Sequence, residues 1–110
     1  MADVKRKSVT IEYPDRDNYV CVEVPNGSMK HAGIVQDSII IVRFTREAEE
    51  GSIVLFAREG ALYLRRVKRL GDVVLLMAEG DGEMMQLEKD DFIVGKVVQV
   101  RTYFEGEKTA

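Results

Sequence analysis

One serine of the chain stands in a setting where it could act as a nucleophile. Ser28 lies in Asn26-Gly27-Ser28-Met29, directly after the apolar segment 20–24. A glycine turn at the end of a strand can expose a serine hydroxyl, but Pro, Asn, Gly and Ser are also ordinary turn residues. Because a serine hydroxyl is a poor nucleophile at neutral pH, the chemical interpretation requires a base nearby. Taken alone, the local sequence favours a simple turn.

Two regions offer a base for Ser28. His31 is the single histidine of the chain, and its surroundings are typical of an exposed side chain. The other region is the cationic segment 65–69, since a desolvated lysine amine can take the proton of a serine. Alternation along a strand puts Arg65 and Lys68 on opposite faces, so both can face Ser28 only if a bulge intervenes.

The cationic segment also has interpretations outside catalysis. Its cations Arg65, Arg66, Lys68 and Arg69 attract polyanions locally, which makes a small nucleic-acid-binding barrel one candidate function. Flanking acidic residues weaken that field, and Tyr63 is the one interleaved aromatic residue. A solvated strand end with outward-pointing charges also explains the composition.

The composition excludes several functional classes. A chain of 110 residues, 45% hydrophobic and 32% charged, fits one globular domain. The 16 basic and 19 acidic residues give a net charge of −3, so no global field favours nucleic acid. One cysteine, Cys21, and one histidine form no disulfide framework and do not supply a zinc site. We expect a cytoplasmic protein without cofactor or metal, and no apolar run is long enough to suggest a membrane span.

Short strands between glycine turns must position these side chains. Segments rich in Val, Ile, Leu, Tyr or Phe alternate with turn signals such as Gly60 and Gly71-Asp72. These segments are 20–24, 38–44, 52–57, 61–69, 73–77 and 92–103, with a weaker candidate at 9–11. The pattern predicts a mostly β domain with little helix, built as a barrel or a folded-over sheet.

In this order, the segments resemble the self-cleaving Ser–Lys peptidase domain shared by the LexA repressor, UmuD and phage repressors. The strand before Gly27-Ser28-Met29 and that turn are similar to the family's strand and serine turn. Further similarities are Ala32-Gly33-Ile34, Gly51-Ser52-Ile53-Val54 and the closing Gly95-Lys96-Val97-Val98. The resemblance extends from Tyr19 to Phe104 and implies a compact sheet or barrel of the LexA C-terminal, signal-peptidase-like type.

The resemblance also assigns roles to residues. In that family a serine attacks a backbone carbonyl, a buried lysine takes its proton, and backbone N–H groups hold the oxyanion. Ser28 matches the nucleophile, the backbone near Met29 matches the oxyanion site, and Arg65 stands at the lysine position. The guanidinium of arginine stays protonated in proteins, so it cannot be the neutral base. A shifted register makes Lys68 the base, but it shortens the hairpin and reverses its faces.

Two further departures concern activity. Asp37-Ser38 stands where the family usually shows Gly-Asp, and the cleaved dipeptide, Ala-Gly or Cys-Gly, is absent from residues 1–27. We therefore expect a UmuD/LexA-like protein of the SOS or phage-repressor type that is proteolytically inactive and acts as a dimeric protein-binding module. An active Ser–Lys peptidase using Ser28 and Lys68 is one alternative, and the nucleic-acid-binding barrel is the other.

The resemblance finally implies a domain layout and partners. We expect an N-terminal arm over residues 1–18, the peptidase-like domain over 19–104 and a tail over 105–110, with no separate DNA-binding domain. Family members form homodimers through their last strands, and the stretch from Phe92 to Tyr103 is long and apolar for an edge strand. A RecA filament or a DNA polymerase is the further partner that the resemblance suggests, and a membrane is not.

Overall fold

Runs of β-branched and aromatic residues between glycine turns form antiparallel strands. The computed structural model describes residues 5–6, 18–24, 27–80 and 82–101. Its strands are β1 Lys5–Arg6, β2 Tyr19–Glu23, β3 Ile39–Phe44, β4 Ile53–Arg58, β5 Ala61–Leu70, β6 Val73–Met77, β7 Met84–Gln86 and β8 Phe92–Arg101. A 3₁₀ helix, Lys30–Ala32, lies between β2 and β3. The mostly β prediction is confirmed, whereas the strand candidate 9–11 and most of the arm lie outside the described residues.

The strands form one sheet in the order β1-β2-β3-β8-β4-β5-β6-β7. Side chains alternate between the two faces of a strand, and β4 is buried on both. Its Leu55 packs in a cluster with β2 and β3, while Val54 and Phe56 pack in a second cluster with β5, β6 and β8. Because both faces of this central strand are covered, the sheet folds over on itself, as the sequence predicts.

The last strand lies inside the sheet. β8 pairs with β3 over Ile39–Phe44, and with β4 between Phe92 and Lys96. The expectation that this stretch is an edge strand is therefore wrong for its first half. Gly95 lets β8 lie close against β3, since a Cβ at this position would lie 2.4 Å from the carbonyl oxygen of Arg43. Such a contact is shorter than any ordinary van der Waals approach.

Turn positions explain one departure from the family pattern. Gly60 and Gly71 close hairpins with φ of 81° and 61°, as the sequence predicts. Asp37 has φ of 71°, in the left-handed region that glycine occupies most readily. The family's usual glycine fits this conformation, and an aspartate tolerates it better than most residues do.

An ion pair ties the β4–β5 hairpin to the segment before β8. Arg58 donates from Nε to Asp91 Oδ1 over 2.9 Å, and from Nη2 to Asp91 Oδ2 over 2.6 Å. The Asp91 side chain is only 3% exposed. The hydrogen bonds from Arg58 hold the pKa of the Asp91 carboxyl below its usual range, against the opposing effect of burial.

We expect this pair to make the stability of the fold sensitive to acid. The pKa of Asp91 is lower in the folded chain, so its stabilisation is complete above the unfolded value of about 3.9 and is lost as the pH falls through the folded value. Asp91→Asn should lower the free energy of unfolding by about 1.5–3 kcal/mol at neutral pH. Urea unfolding at several pH values measures the difference in free energy of unfolding between the wild type and the variant. This difference should become smaller at acidic pH. The exposed neighbour variant Asp90→Asn is the control, and a difference that does not change with pH contradicts the prediction.

Candidate active site

The serine turn is built by backbone hydrogen bonds after β2. The N–H of Lys30 donates to the carbonyl of Gly27 over 3.1 Å, and the N–H of Ala32 donates to the carbonyl of Met29 over 3.0 Å. These bonds place Ser28 at the start of the 3₁₀ helix. The Met29 side chain is fully buried in the cluster with β2 and β3, so it anchors the turn to the core. Ser28 itself is half-buried.

The loop between β6 and β7 packs directly against this turn. The N–H of Glu79 donates to Sδ of Met29 over 3.2 Å, and the carbonyl of Glu79 accepts from the N–H of His31 over 2.6 Å. A Cβ at Gly80 would lie 2.4 Å from the carbonyl oxygen of Gly27. The absence of a side chain at Gly80 is therefore what lets the two backbones meet behind the serine.

Arg65 extends from β5 to the serine. Its Nη1 lies 3.5 Å from Oγ of Ser28 and donates to it, across 37 positions of sequence. The same Nη1 donates to the carbonyl of Leu64 over 2.7 Å. Arg65 is 4% exposed, and it pairs in register with Val54 of β4. The structure thus brings Ser28 and Arg65 together, and the catalytic roles that the resemblance assigns to these positions stay predictions.

One carboxylate accompanies the buried guanidinium. Nη2 of Arg65 donates to Oε1 of Glu83 over 2.7 Å, and the Glu83 side chain is 52% exposed. The Tyr63 ring lies against the guanidinium, with its centroid 5.3 Å from Cζ, within the range of a cation–π contact. Nε of Arg65 is buried and has no hydrogen-bond partner among the described residues.

Sequence reasoning missed Glu83. No motif marks Glu83 as the partner of Arg65. A general signal was present, because the resemblance predicts that the side chain at position 65 is buried, and buried charges are paired. Only the packing of the β6–β7 loop identifies which of the many acidic residues supplies that pair.

In this arrangement Arg65 acts as a positively charged hydrogen-bond donor. A guanidinium has five N–H donors and no acceptor, so Arg65 donates to the oxygen of Ser28 but cannot take its proton. The nearby carboxylate of Glu83 further stabilises the charged form of any cation at this place. The arrangement can orient the serine hydroxyl and attract an anion, but Arg65 does not supply a base for Ser28.

The other candidate bases lie elsewhere. Lys68 is exposed on β5, opposite Leu75 of β6, and alternation puts it on the other face from Arg65. His31 is exposed and lines a cavity of about 460 Å³ together with Arg66 and Glu79. The part of Met29 expected at an oxyanion site is its backbone N–H, and that role stays a prediction.

The cationic segment does not form a continuous basic surface. Arg65 pairs with Glu83, and Arg66 pairs with Glu79 over 2.8 Å. The Arg69 side chain donates to a backbone carbonyl over 2.8 Å. Lys68 forms no ion pair in the described part of the chain, and one such cation gives little support to a nucleic-acid interface.

Other candidate chemistry is limited in the described ranges. Cys21 is 3% exposed, and burial raises the pKa of its thiol, which is opposite to what a reactive thiolate requires. Within residues 18–24, 27–80 and 82–101, no three His, Cys, Asp or Glu side chains are grouped so that they could hold a metal ion. No described helix is long and apolar enough to cross a membrane.

Two comparisons show which known proteins the chain is similar to. A family model described as "Peptidase S24-like" matches residues 3–98. The LexA repressor of Actinobacillus succinogenes is 30% identical over 60 residues, which make up 54% of this chain. That match spans 29% of the repressor's own length, so the likeness concerns one part of it.

The close contact between the backbone at Gly80 and the serine turn leads to a testable prediction. We expect Gly80→Ala to destabilise the fold by about 1–3 kcal/mol, because its Cβ would overlap backbone atoms that cannot rotate away. Chemical unfolding measures the loss. Gly27→Ala, on the other side of the same contact, is the matched control, since its Cβ would meet only the Lys30 side chain, at 3.7 Å or more. Equal losses in the two variants would show that the approach of the two backbones is not what requires glycine.

Proposed function

The chain belongs to the peptidase S24-like family, and from that premise we propose that it is a LexA/UmuD-like protein without proteolytic activity that acts as a dimeric protein-binding module. The observation that carries the proposal is the buried Arg65 guanidinium, 3.5 Å from the Ser28 hydroxyl oxygen. A Ser–Lys mechanism needs a neutral amine there to take the serine proton, and arginine supplies none.

Two further observations support the loss of activity. Glu83 stabilises positive charge beside Ser28, which opposes the formation of a neutral base. The dipeptide that these domains cleave is absent from residues 1–27, and Ala32-Gly33 closes the 3₁₀ helix, with Gly33 at φ of 85°. Cleavage at that pair would dismantle the turn that holds the serine.

The dimer proposal rests on the family and on one exposed side chain. Beyond Lys96, β8 continues to pair with β3, while its pairing with β4 ends. Val98, at this point of the strand, is 40% exposed. An apolar side chain there suits contact with a second copy. Contacts with a RecA filament or a DNA polymerase stay predictions from the resemblance.

We expect a fluorophosphonate probe, whose phosphorus is attacked by activated serines with loss of fluoride, to leave the wild-type chain unlabelled. The double variant Arg65→Lys/Glu83→Gln should react at alkaline pH, because it supplies an amine and removes the carboxylate that would keep it protonated. Intact-mass measurement reports the adduct, and the same double variant carrying Ser28→Ala is the control.

Labelling of wild-type Ser28 would overturn the proposed inactivity. If that labelling disappeared in Lys68→Ala, the active peptidase using Lys68 would be the correct alternative. Strong binding of oligonucleotides that weakens steeply with salt would instead favour the nucleic-acid-binding barrel.

The dimer has its own measurement. Sedimentation velocity of the wild-type chain over a range of concentrations should show a dimer, and Val98→Asp should shift it to monomer by placing like charges at the contact. Val73→Asp is the matched control, since Val73 is a similarly exposed valine, at 37%, on β6. A wild-type chain that stays monomeric, or a dimer unaffected by Val98→Asp, contradicts this contact.

A further inference from the structure

We propose that an aromatic groove beside the start of β8 binds the C-terminal segment 103–107 of a second copy of this chain, so that two copies exchange these segments. The inference rests on the proposed function, because it names a contact that completes the proposed dimer. The aromatic groove surrounds a cavity of about 450 Å³, and its lining residues are Phe44, Thr45, Arg46, Phe92 and Val94.

The aromatic groove exposes two phenylalanine side chains. Phe44, at the end of β3, is 45% exposed, and Phe92, at the start of β8, is 42% exposed. Both line the same cavity together with Val94, which packs against the hydrophobic cluster with β2 and β3. Several large apolar side chains around one exposed cavity mark an interaction site, whereas single exposed ones need no explanation.

Contacts within the aromatic groove hold its shape. The N–H of Thr45 donates to the carbonyl of Val94 over 3.3 Å, and the N–H of Glu47 donates to Oγ1 of Thr45 over 3.2 Å. Cζ of Arg46 lies 3.9 Å from the centroid of the Phe92 ring, which is a cation–π contact. Because these walls are already ordered, little binding energy is lost in arranging them around a ligand.

The aromatic groove suits an aromatic side chain followed by a carboxylate. Its apolar lining fits a ring, and the charged side chain that lines it is the guanidinium of Arg46. Arginine forms strong hydrogen bonds with carboxylates, and aromatic rings pack well against one another. The C-terminal segment has this chemistry in this order, since it reads Tyr103-Phe104-Glu105-Gly106-Glu107.

The two aromatic residues of this segment do not reach the groove of their own chain. Arg101 pairs with Ile39 at one end of β3, whereas Gly95 pairs with Phe44 at the other end. The rise along β8 from Gly95 to Arg101 is about 20 Å. Phe104 lies three residues beyond Arg101, and such a stretch of chain spans at most about 10 Å. The occupant therefore comes from another copy.

A two-fold dimer brings each C-terminal segment to the groove of the other copy. In such a dimer the same patch of both copies meets at the symmetry axis. The proposed function places Val98 at this contact. With antiparallel β8 strands meeting at Val98, Phe104 of one copy comes level with Phe92 of the other, because each is six positions from Val98. Both segments are then exchanged at once.

The area that this exchange buries matches what a stable dimer needs. Burial of one aromatic side chain removes about 150–250 Å² from solvent. Two aromatic residues from each copy, with an equal area of groove, bury about 1,200–2,000 Å² over the two contacts. Specific protein interfaces have this size, so the two contacts together are large enough to hold a dimer.

Sedimentation velocity of complementary variants tests the exchange. The segment variant is Tyr103→Ser/Phe104→Ser, and the groove variant is Phe92→Ser. Each variant alone should dimerise at least tenfold more weakly than the wild type. An equimolar mixture should associate more tightly than either variant, because the intact groove of one binds the intact segment of the other. Leu70→Ser is the matched control, since this side chain is 54% exposed on β5, and it should leave the dimer unchanged.

Fluorescence anisotropy follows the contact itself. A dye-labelled peptide with the sequence of residues 101–110 should bind the segment variant, whose grooves are open. It should bind the wild type at least fivefold more weakly, because the chain's own segments compete. Arg46→Glu in the segment variant should weaken binding tenfold, and a peptide with Glu105→Lys should restore part of it. Glu47→Gln, which removes a neighbouring carboxylate outside the groove lining, should not weaken binding.

The failures can be told apart. Circular dichroism checks that each variant is folded, and Arg46→Glu replaces Phe92→Ser as the groove variant if the latter is not. A dimer that neither variant weakens, or a mixture that associates no better than its components, overturns the exchange while the proposed dimer stands. A wild-type chain that stays monomeric overturns both. Peptide binding to the groove with an unaffected dimer overturns the second copy as occupant and indicates an aromatic, acidic segment of a different protein.

Discussion

A buried guanidinium has to keep its charge compensated, and in this protein that requirement links three separate parts of the chain. Arg65 projects from β5, touches the serine turn through Ser28, and takes its counter-charge from Glu83 on the β6–β7 loop. Without the loop, a positive charge that is 4% exposed would lack its ion-pair partner. The charge balance of the site and the chemistry open to Ser28 therefore depend on this one side chain.

The sheet supplies the precision that such a contact needs. Arg65 pairs in register with Val54 of β4, and a shift of one residue would turn its side chain to the opposite face. The two hydrophobic clusters on either side of β4 hold that register, because every buried residue on these strands would have to change face with it. The serine turn is held independently, by the buried Met29 side chain and by the backbone of Gly80. Two rigid elements thus meet at Ser28 and Arg65.

Under the proposed function, arginine stands at position 65 where the resemblance places a lysine, and its side chain still reaches the serine. Both side chains bring a cation to the serine, so the fold has no reason to reorganise. An amine can lose its proton when it is desolvated, whereas a guanidinium cannot, and it offers instead a planar fork of donors. The same burial that allows an amine to become neutral leaves a guanidinium charged. Under the proposed function, the substitution removes the base that hydrolysis requires while it keeps a cation beside the serine.

Much of this protein was determined by its sequence alone. The strand segments and the hairpin glycines followed from period-two alternation and turn chemistry, which are local properties. Alternation separated Arg65 from Lys68, and the resemblance to a known family is what assigned Arg65 to Ser28. The interior place of β8 and the role of Gly80 did not follow from local properties, since strand order and backbone approach depend on contacts between distant segments. The role of Glu83 also depends on contacts between distant segments. Nineteen acidic residues could have neutralised Arg65, and nothing local distinguishes this one. Only the tertiary structure decided which carboxylate compensates the buried charge, because that choice is made by the packing of a loop against a turn far away in the chain.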